Sequence, residues 1–387
     1  MNILIPIGGT GERFKEDGYS SPKPLINVMG KLMIQHVIDC LNLNNEDRVI
    51  IVYNKLLKQH CFEERIKCKN NIIFIQLPNQ TKGAAETVLY GLQHIPNYLL
   101  NNNTIILDCD NFYTKDILQM YRNNSCKNAV FSFEDKLSKP IYSYVKLNAQ
   151  NRVLEIREKV KISDNANTGC YCFESGNILK TYCSLIMEKK ILENNEYYIS
   201  CVIKEMLKDP NCYISCININ KDHFHCLGTP MHVKIFGSNK KNIKNSIKLR
   251  ICFDLDNCLV TSPAIEGDYT TVSPIHKNIN ILNYLHDCGH TIIIHTARRM
   301  RTHNGNVMKV MQDIGSLTFA QLNSFNIKYD EVYFGKPYAH FYIDDLAINS
   351  FANIQKEIGF YDSSIKEREF NQLDYKSIEV VTKKSKD

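Results

Sequence analysis

Three stretches of this 387-residue chain place charged side chains directly after a short apolar run. In the first, NILIPI runs into GGTGERF, which supplies Gly8, Gly9, Gly11 and Arg13. Glycines there permit a tight turn and close backbone approach to a phosphate, and Arg13 adds charge for the same anion. Lys23 follows between Pro22 and Pro24, whose fixed φ stiffens the backbone that aims the ammonium. The second stretch, TIILDCD, ends in Asp108 and Asp110, and the third, ICFDLDNCLV, carries Asp254 and Asp256. The chemistry these residue types suggest is phosphate handling. Taken singly, each stretch would read equally well as a tight turn or as solvated acids at a strand end.

The elements that must hold these residues follow from the apolar pattern. NILIPI, RVIIVY, NIIFIQL and TIILDCD read as buried parallel strands. LMIQHVIDCLNL, with Met33, Ile34, Val37, Ile38 and Leu41, has helical spacing, and AAETVLYGL does much the same. Strand–helix alternation predicts a doubly wound α/β sheet with its site at the strand carboxyl ends. Residues 128–175 are richer in strand pattern and read as an insertion covering that site. The polar stretch FGSNKKNIKNSIK at 236–248 reads as a linker. The α/β rhythm restarts after it with LRICFDL, TIIIHT, EVYFG and HFYIDD, and a helix is predicted between Ser273-Pro274 and Gly289. The expected domains are 1–240 and 248–375, followed by a polar basic tail at 376–387.

G-G-x-G-x-R-F followed by P-K-P-L-I resembles the sugar-phosphate nucleotidyltransferase family. The resemblance covers about residues 2–235 and implies a Rossmann-like fold of the GT-A-like type with a β-rich insertion. It implies roles for Arg13 at a triphosphate, Lys23 at the reacting phosphates and Asp110 on Mg²⁺. Gly8, Gly9, Gly11, Gly83 and Ala84 would lie against the nucleotide. Glu158 and Lys159 of EIREKV would hold the sugar, with Gly169 of NTGCYCF and the later NEYYIS and CLGTP as further landmarks. Many relatives carry a second metal-binding aspartate where this chain has Cys226. Thiolate is a poor partner for magnesium, so either another oxygen such as Asp222 serves or one metal suffices.

The later half carries a second resemblance. An acid pair, then Thr296 of IIIHTARR, Lys336 of FGKPYAHFYIDD and finally Asp344 and Asp345 stand in order at predicted strand ends. That series is similar to the haloacid dehalogenase-like hydrolases, and to the small capsule-biosynthesis phosphatases among them. It implies an HAD-like Rossmannoid domain in which Asp254 is the nucleophile and Asp256 the acid and base. Thr296 and Lys336 would hold the phosphoryl group. Mg²⁺ would sit on Asp254, Asp344 and the carbonyl of Asp256, supported by Asp345. Cys258 stands where the motif usually has a hydroxyl. One helix and one strand use most of the chain between Asp254 and Thr296, which leaves no room for a large cap.

Composition narrows the class. Hydrophobic residues are 44% and charged residues 23%, as in ordinary globular proteins. The net charge of +6 falls largely in the 240–248 stretch and on Lys383, Lys384 and Lys386, so nucleic acid is not expected as a partner. No run of about 18 apolar residues indicates a membrane span, and the first residues do not read as a secretory signal. Fifteen cysteines, many inside apolar strand-like runs, read as reduced core thiols of a cytoplasmic protein. His36, His225, His295 and His340 read as structural. The expectation is a bifunctional enzyme of nucleotide-activated sugar or polyol synthesis using an NTP, a sugar phosphate and Mg²⁺, and compatible with a homodimer. The alternatives are that one domain is a non-catalytic sensor or scaffold, or that the chain processes nucleic-acid ends.

Overall fold

The computed structural model describes residues 1–362. The expected tail at 376–387, and the last part of the expected second domain, lie outside the described residues. The chain divides into two compact units. The first comprises Met1–Ile26 and Lys31–His232; the second comprises Asn27–Gly30 and the chain from Val233.

The first unit is built on strands β1 (Asn2–Ile7), β2 (Arg48–Asn54), β3 (Ile72–Leu77) and β4 (Thr104–Leu107). These are the four apolar runs of the sequence. β4, β1, β2 and β3 pair in parallel in that order. All but one residue of β2 is buried, as a parallel strand covered on both faces requires. After β4 come β5 (Asn111–Tyr113), β6 (Ala129–Glu134), β7 (Ser143–Leu147), β8 (Val153–Glu158), β9 (Asn165–Phe173), β10 (Ser215–Asn218) and β11 (Phe224–Cys226).

The β-rich region, read as an insertion covering the site, also continues the main sheet. β9 pairs antiparallel with β4, and β6, β7, β8 and β10 extend from it, so one nine-stranded sheet results. The reason is visible in β9, whose residues 170–173 are all buried and lie beside β4. β5 and β11 form a small antiparallel pair of their own.

Helix α1 (Glu12–Glu16) follows the glycine turn, and α2 (Met33–Asp39) buries Met33, Ile34, Val37 and Ile38 at the spacing read from sequence. Helix α3 (Ala84–His94) lays Val88 and Leu92 into a core with Leu4, Ile50 and Val52. α4 (Gly176–Glu188) adds Leu179, Cys183 and Ile186 to the same core, and α5 (Ile199–Met206) adds Val202 and Ile203.

In the second unit the stretch expected as a linker is mostly helical, with α6 (Pro230–Ser238) and α7 (Lys240–Asn245). Val233 and Ile243 are buried, and Asn239 caps α7 by accepting from two backbone N–H groups. Polar composition concealed these anchors. Strands β12 (Arg250–Asp254), β13 (Thr291–Thr296) and β14 (Glu331–Phe334) form a parallel sheet in that order. Helix α8 (His276–Asp287) buries Ile279, Leu282 and Leu285. It begins after Ile275, two residues later than Ser273-Pro274 suggested, and Gly289 follows its end with φ 83°.

The fourth strand expected at HFYIDD is not formed. Phe341 is 86% exposed and Ile343 99%, and among the described residues the run pairs with no strand. So short an apolar run is marginal as a strand unless others pair with it and cover one side.

Gly91 explains how closely α3 lies on the sheet. A Cβ there would come within 2.5 Å of Val52 Cγ2, and Val52 is a stiff, fully buried β-branched residue. Alanine would gain about 1 kcal/mol of helix propensity, but overpacking costs about 1–3 kcal/mol. We expect Gly91→Ala to lower stability by about 1 kcal/mol in urea unfolding followed by circular dichroism. An unchanged or raised midpoint would show that α3 has room to move.

Candidate active sites

In the first unit, β1 delivers the chain into the glycine turn. Gly11 has φ 70° and lies at the start of α1, and a Cβ on it would sit 3.0 Å from Lys23 Cβ. Both the backbone and the lysine therefore require glycine. A Cβ at Gly9 would meet nothing within 4 Å, and Gly9 lines a cavity of about 400 Å³. Gly8 has an internal reason instead: a Cβ would clash with Thr81 and Thr87, whose hydroxyls hydrogen-bond at 2.6 Å. Gly83, with φ 143°, likewise faces the backbone of Tyr197 at 2.6 Å, while Ala84 lines the cavity. Packing within the protein thus requires glycine at 8 and 83, beside the nucleotide-facing role that the resemblance implies.

Lys23, Asp108 and Asp110 meet in this cavity at the carboxyl end of β4. The Lys23 ammonium pairs with Asp110 Oδ2. Burial alone would lower the lysine's pKa, but the charge of Asp110 outweighs it and holds the ammonium above its ordinary value. Asp108 is raised well above the usual carboxylate range by burial and then by Asp110. Asn111 donates to Asp108 Oδ2 at 3.2 Å and to the Thr168 carbonyl at 3.0 Å, fixing the acid in place. Gly169 leaves it space, since a Cβ there would come within 2.0 Å of Asp108 Oδ2. Two crowded carboxylates with only one lysine between them suit a hard divalent cation, whose remaining oxygens come from water and substrate phosphates.

Glu158 reaches the same cavity from the end of β8 and accepts hydrogen bonds from Ser143 at 2.5 Å and Ser200 at 2.8 Å. Lys159, at φ 52°, donates to the hydroxyl of Tyr198, a cavity-lining residue, at 3.1 Å. Arg13 is exposed on α1, and its charge acts on Tyr198 and His232. Asp222 is exposed on a short turn and does not line the cavity. Cys226 stands beside Asp110 across Gly228, with its thiol pushed up to about 12 by burial and then by Asp110. A thiol held neutral is no ligand for magnesium. Sequence reasoning missed Tyr142 on the cavity wall, and gave no role to Tyr171 and Glu196 inside the landmarks NTGCYCF and NEYYIS.

In the second unit, Lys336 Nζ lies 2.8 Å from Asp254 Oδ2 at the end of β12. Thr296 ends β13, is 1% exposed, and accepts Lys336 N–H on its carbonyl at 3.2 Å. Asn257, at φ 61°, turns the chain directly after Asp256 and donates its N–H to the Val260 carbonyl at 2.7 Å. The Cys258 thiol is buried and pushed up to about 11, first by burial and then by Asp254. Four of the expected residues thus gather by sequence order. Asp344 and Asp345 do not join them: both are exposed, and Asp344 accepts from Leu346 N–H at 2.7 Å. Among the described residues no group of three or more His, Cys, Asp or Glu side chains is set to hold a metal ion. The residues present therefore do not fit the Mg²⁺ site expected on Asp254, Asp344 and the carbonyl of Asp256 with Asp345 in support. Arg298, within HTARR, has no role in the sequence motifs; it is the side chain that grips Asp256, at 3.0 Å.

The raised pKa of Asp108 gives a sign to test. A carboxyl with a raised folded pKa contributes stability that is present in acid and lost as pH rises through the folded value. We expect Asp108→Asn to flatten this loss between about pH 4 and pH 8 in chelator-treated protein. Melting temperatures of variant and parent would diverge toward alkaline pH; parallel curves would contradict the buried-pair account.

Residues 3–221 match the family model described as nucleotidyl transferase. The bifunctional protein GlmU of Methanococcus aeolicus is 26% identical over 281 residues, 71% of this chain and 62% of that protein. The mannose-1-phosphate guanylyltransferase catalytic subunit beta of Dictyostelium discoideum is 24% identical over 45% of this chain and 49% of its own length. The chain thus spans less than two thirds of these relatives. Among solved structures, a nucleoside-diphosphate-sugar pyrophosphorylase from Vibrio cholerae aligns with 20% identity and a TM-score of 0.48, over 59% of this chain and 97% of that one.

Proposed function

The chain belongs to the nucleotidyl transferase family through residues 3–221, and on that premise we propose that the first unit transfers a nucleoside monophosphate from an NTP to a sugar or polyol phosphate. The observation that carries this reading is the Lys23–Asp110 pair with Asp108 beside it, facing the cavity behind the Gly9–Gly11 turn. A phosphate oxygen of the sugar phosphate attacks the α-phosphorus, a new P–O bond forms, the bond to the β-phosphate breaks, and pyrophosphate leaves. Little covalent work falls to the protein; it positions two anions and offsets their charge. Asp108 and Asp110 are the residues that would hold Mg²⁺, which when bound neutralises charge on the triphosphate. On this reading Lys23 would act on the reacting phosphates, Arg13 from its exposed position on α1 on the triphosphate, and Glu158 on the sugar, with Gly169 leaving room at the acid.

For the second unit we propose phosphomonoester hydrolysis, favoured by the Lys336–Asp254 contact and by Asp256 two residues on. An Asp254 oxygen attacks phosphorus, the ester bond breaks, and Asp256 gives its proton to the leaving oxygen. Water then attacks phosphorus, gives that proton back to Asp256, and releases phosphate from Asp254. Lys336 orients Asp254 through the 2.8 Å contact, and Thr296 contributes to the phosphoryl cradle. Cavity size, glycine turn and basic–acidic pairing do not favour a nucleic-acid substrate, and the domain limits proposed are 1–240 and 248–375.

The test is release of pyrophosphate and of phosphate from a panel of sugar monophosphates and bisphosphates with CTP, UTP, GTP and dTTP. We expect Lys23→Met to lower pyrophosphate release about 100- to 1,000-fold, the loss typical of one preorganised charge at a transition state. Asp254→Asn should abolish phosphate release and leave pyrophosphate release intact. A folded parent enzyme that releases no pyrophosphate from any pair would overturn the first assignment. Phosphate release that survives Asp254→Asn would overturn the second.

A further inference from the structure

Arg298 is the largest fully buried side chain of the described residues, 1% exposed, and it lies two residues past Thr296. Its Nε stands 3.0 Å from both carboxylate oxygens of Asp256, and Nη2 is 3.0 Å from Oδ1. On its far side Nη1 donates to Gln321 Oε1 at 2.7 Å and to Thr318 Oγ1 at 3.2 Å. The guanidinium also lies 4.8 Å from the ring centre of Tyr269. Gln321 completes the arrangement by donating Nε2–H to the Tyr269 carbonyl at 2.5 Å.

Burying a guanidinium costs several kcal/mol that the ion pair alone rarely offsets, and apolar replacements are often as stable. Stability is therefore a weak reason for this residue. What a planar fork supplies, and a lysine does not, is a fixed plane for its carboxylate partner. Here the fork is itself held from three directions, by a hydroxyl, an amide and an aromatic face. Asp256 is consequently confined to one orientation next to Asp254, while Lys336 holds Asp254 separately.

We propose that Arg298 is a positioning residue for the hydrolysis assigned above, aiming Asp256 at the leaving oxygen and linking that aim to the loop that carries Tyr269. The inference rests on the phosphatase reading of the second unit. It concerns direction of proton delivery. A leaving group that needs a proton depends on Asp256 being aimed; one that departs as a stable anion does not.

The experiment compares the full chain with Arg298→Met and Arg298→Lys on an alkyl phosphate and on p-nitrophenyl phosphate. We expect kcat on the alkyl ester to fall about 100-fold in both variants, the scale of general-acid catalysis, and kcat on the aryl ester to fall less than about fivefold. In the double variant with Asp256→Asn, the alkyl ester should lose no more than in Asp256→Asn alone, because the two residues act through one proton. If Arg298→Met does not fold, Gln321→Met loosens the fork without removing its charge, and the same substrate split should appear at about tenfold. Equal losses on both esters, or full rescue by lysine, would overturn the positioning role. Hydrolysis unaffected by Asp254→Asn would instead overturn the phosphatase reading, and this inference with it.

Discussion

A carboxylate at a strand end with a second acid two residues away is answered by a cation, and that pairing organises both units. Burial disfavours charge, and a second acid two residues away disfavours it further. In the first unit Lys23 answers Asp110, and Asp108 is left in excess with a raised pKa. In the second, Lys336 answers Asp254 and Arg298 answers Asp256. The surrounding features serve these pairs. Gly11 and Gly169 give them room, while Asn111 and Gln321 hold their partners in place.

The two units differ in what remains unanswered. The surplus carboxylate beside Lys23 leaves the first site with two acids to one lysine. In the second unit both acids near the sheet already have basic partners, and Asp344 and Asp345 stand exposed away from any described metal set. The same residue type at similar strand ends thus produces two electrostatic settings, one that is cation-seeking and one that is self-paired.

Much of this was legible in the sequence because it rests on local patterns. Four apolar runs became β1 to β4, and the spacing of Met33, Ile34, Val37 and Ile38 became the buried face of α2. Lys23 between two prolines was readable as an aimed side chain because proline stiffness is local. What escaped depended on distant partners. Residues 170–173 of β9 join the main sheet only because β4 lies beside them. The helices at 230–245 are anchored by Val233 and Ile243, two apolar residues in a polar stretch. HFYIDD has strand composition but no partner. Arg298 could not be separated from Arg299 beside it, since only burial distinguishes the two: 1% exposure for one and partial exposure for the other. Gly8 and Gly83 are glycines for contacts with residues far along the chain, which motif spacing does not reveal.

The central claim is that Lys23, Asp108 and Asp110 form a cation-dependent triphosphate site. Calorimetric titration of CTP, UTP, GTP and dTTP into the full chain, with and without Mg²⁺, tests it most directly. The account predicts that at least one triphosphate binds with Mg²⁺ present, and that chelation or Asp110→Asn weakens this binding at least tenfold, about 1.4 kcal/mol. Triphosphate binding that is indifferent to both Mg²⁺ and Asp110, or no binding to a folded protein under any of these conditions, would contradict it.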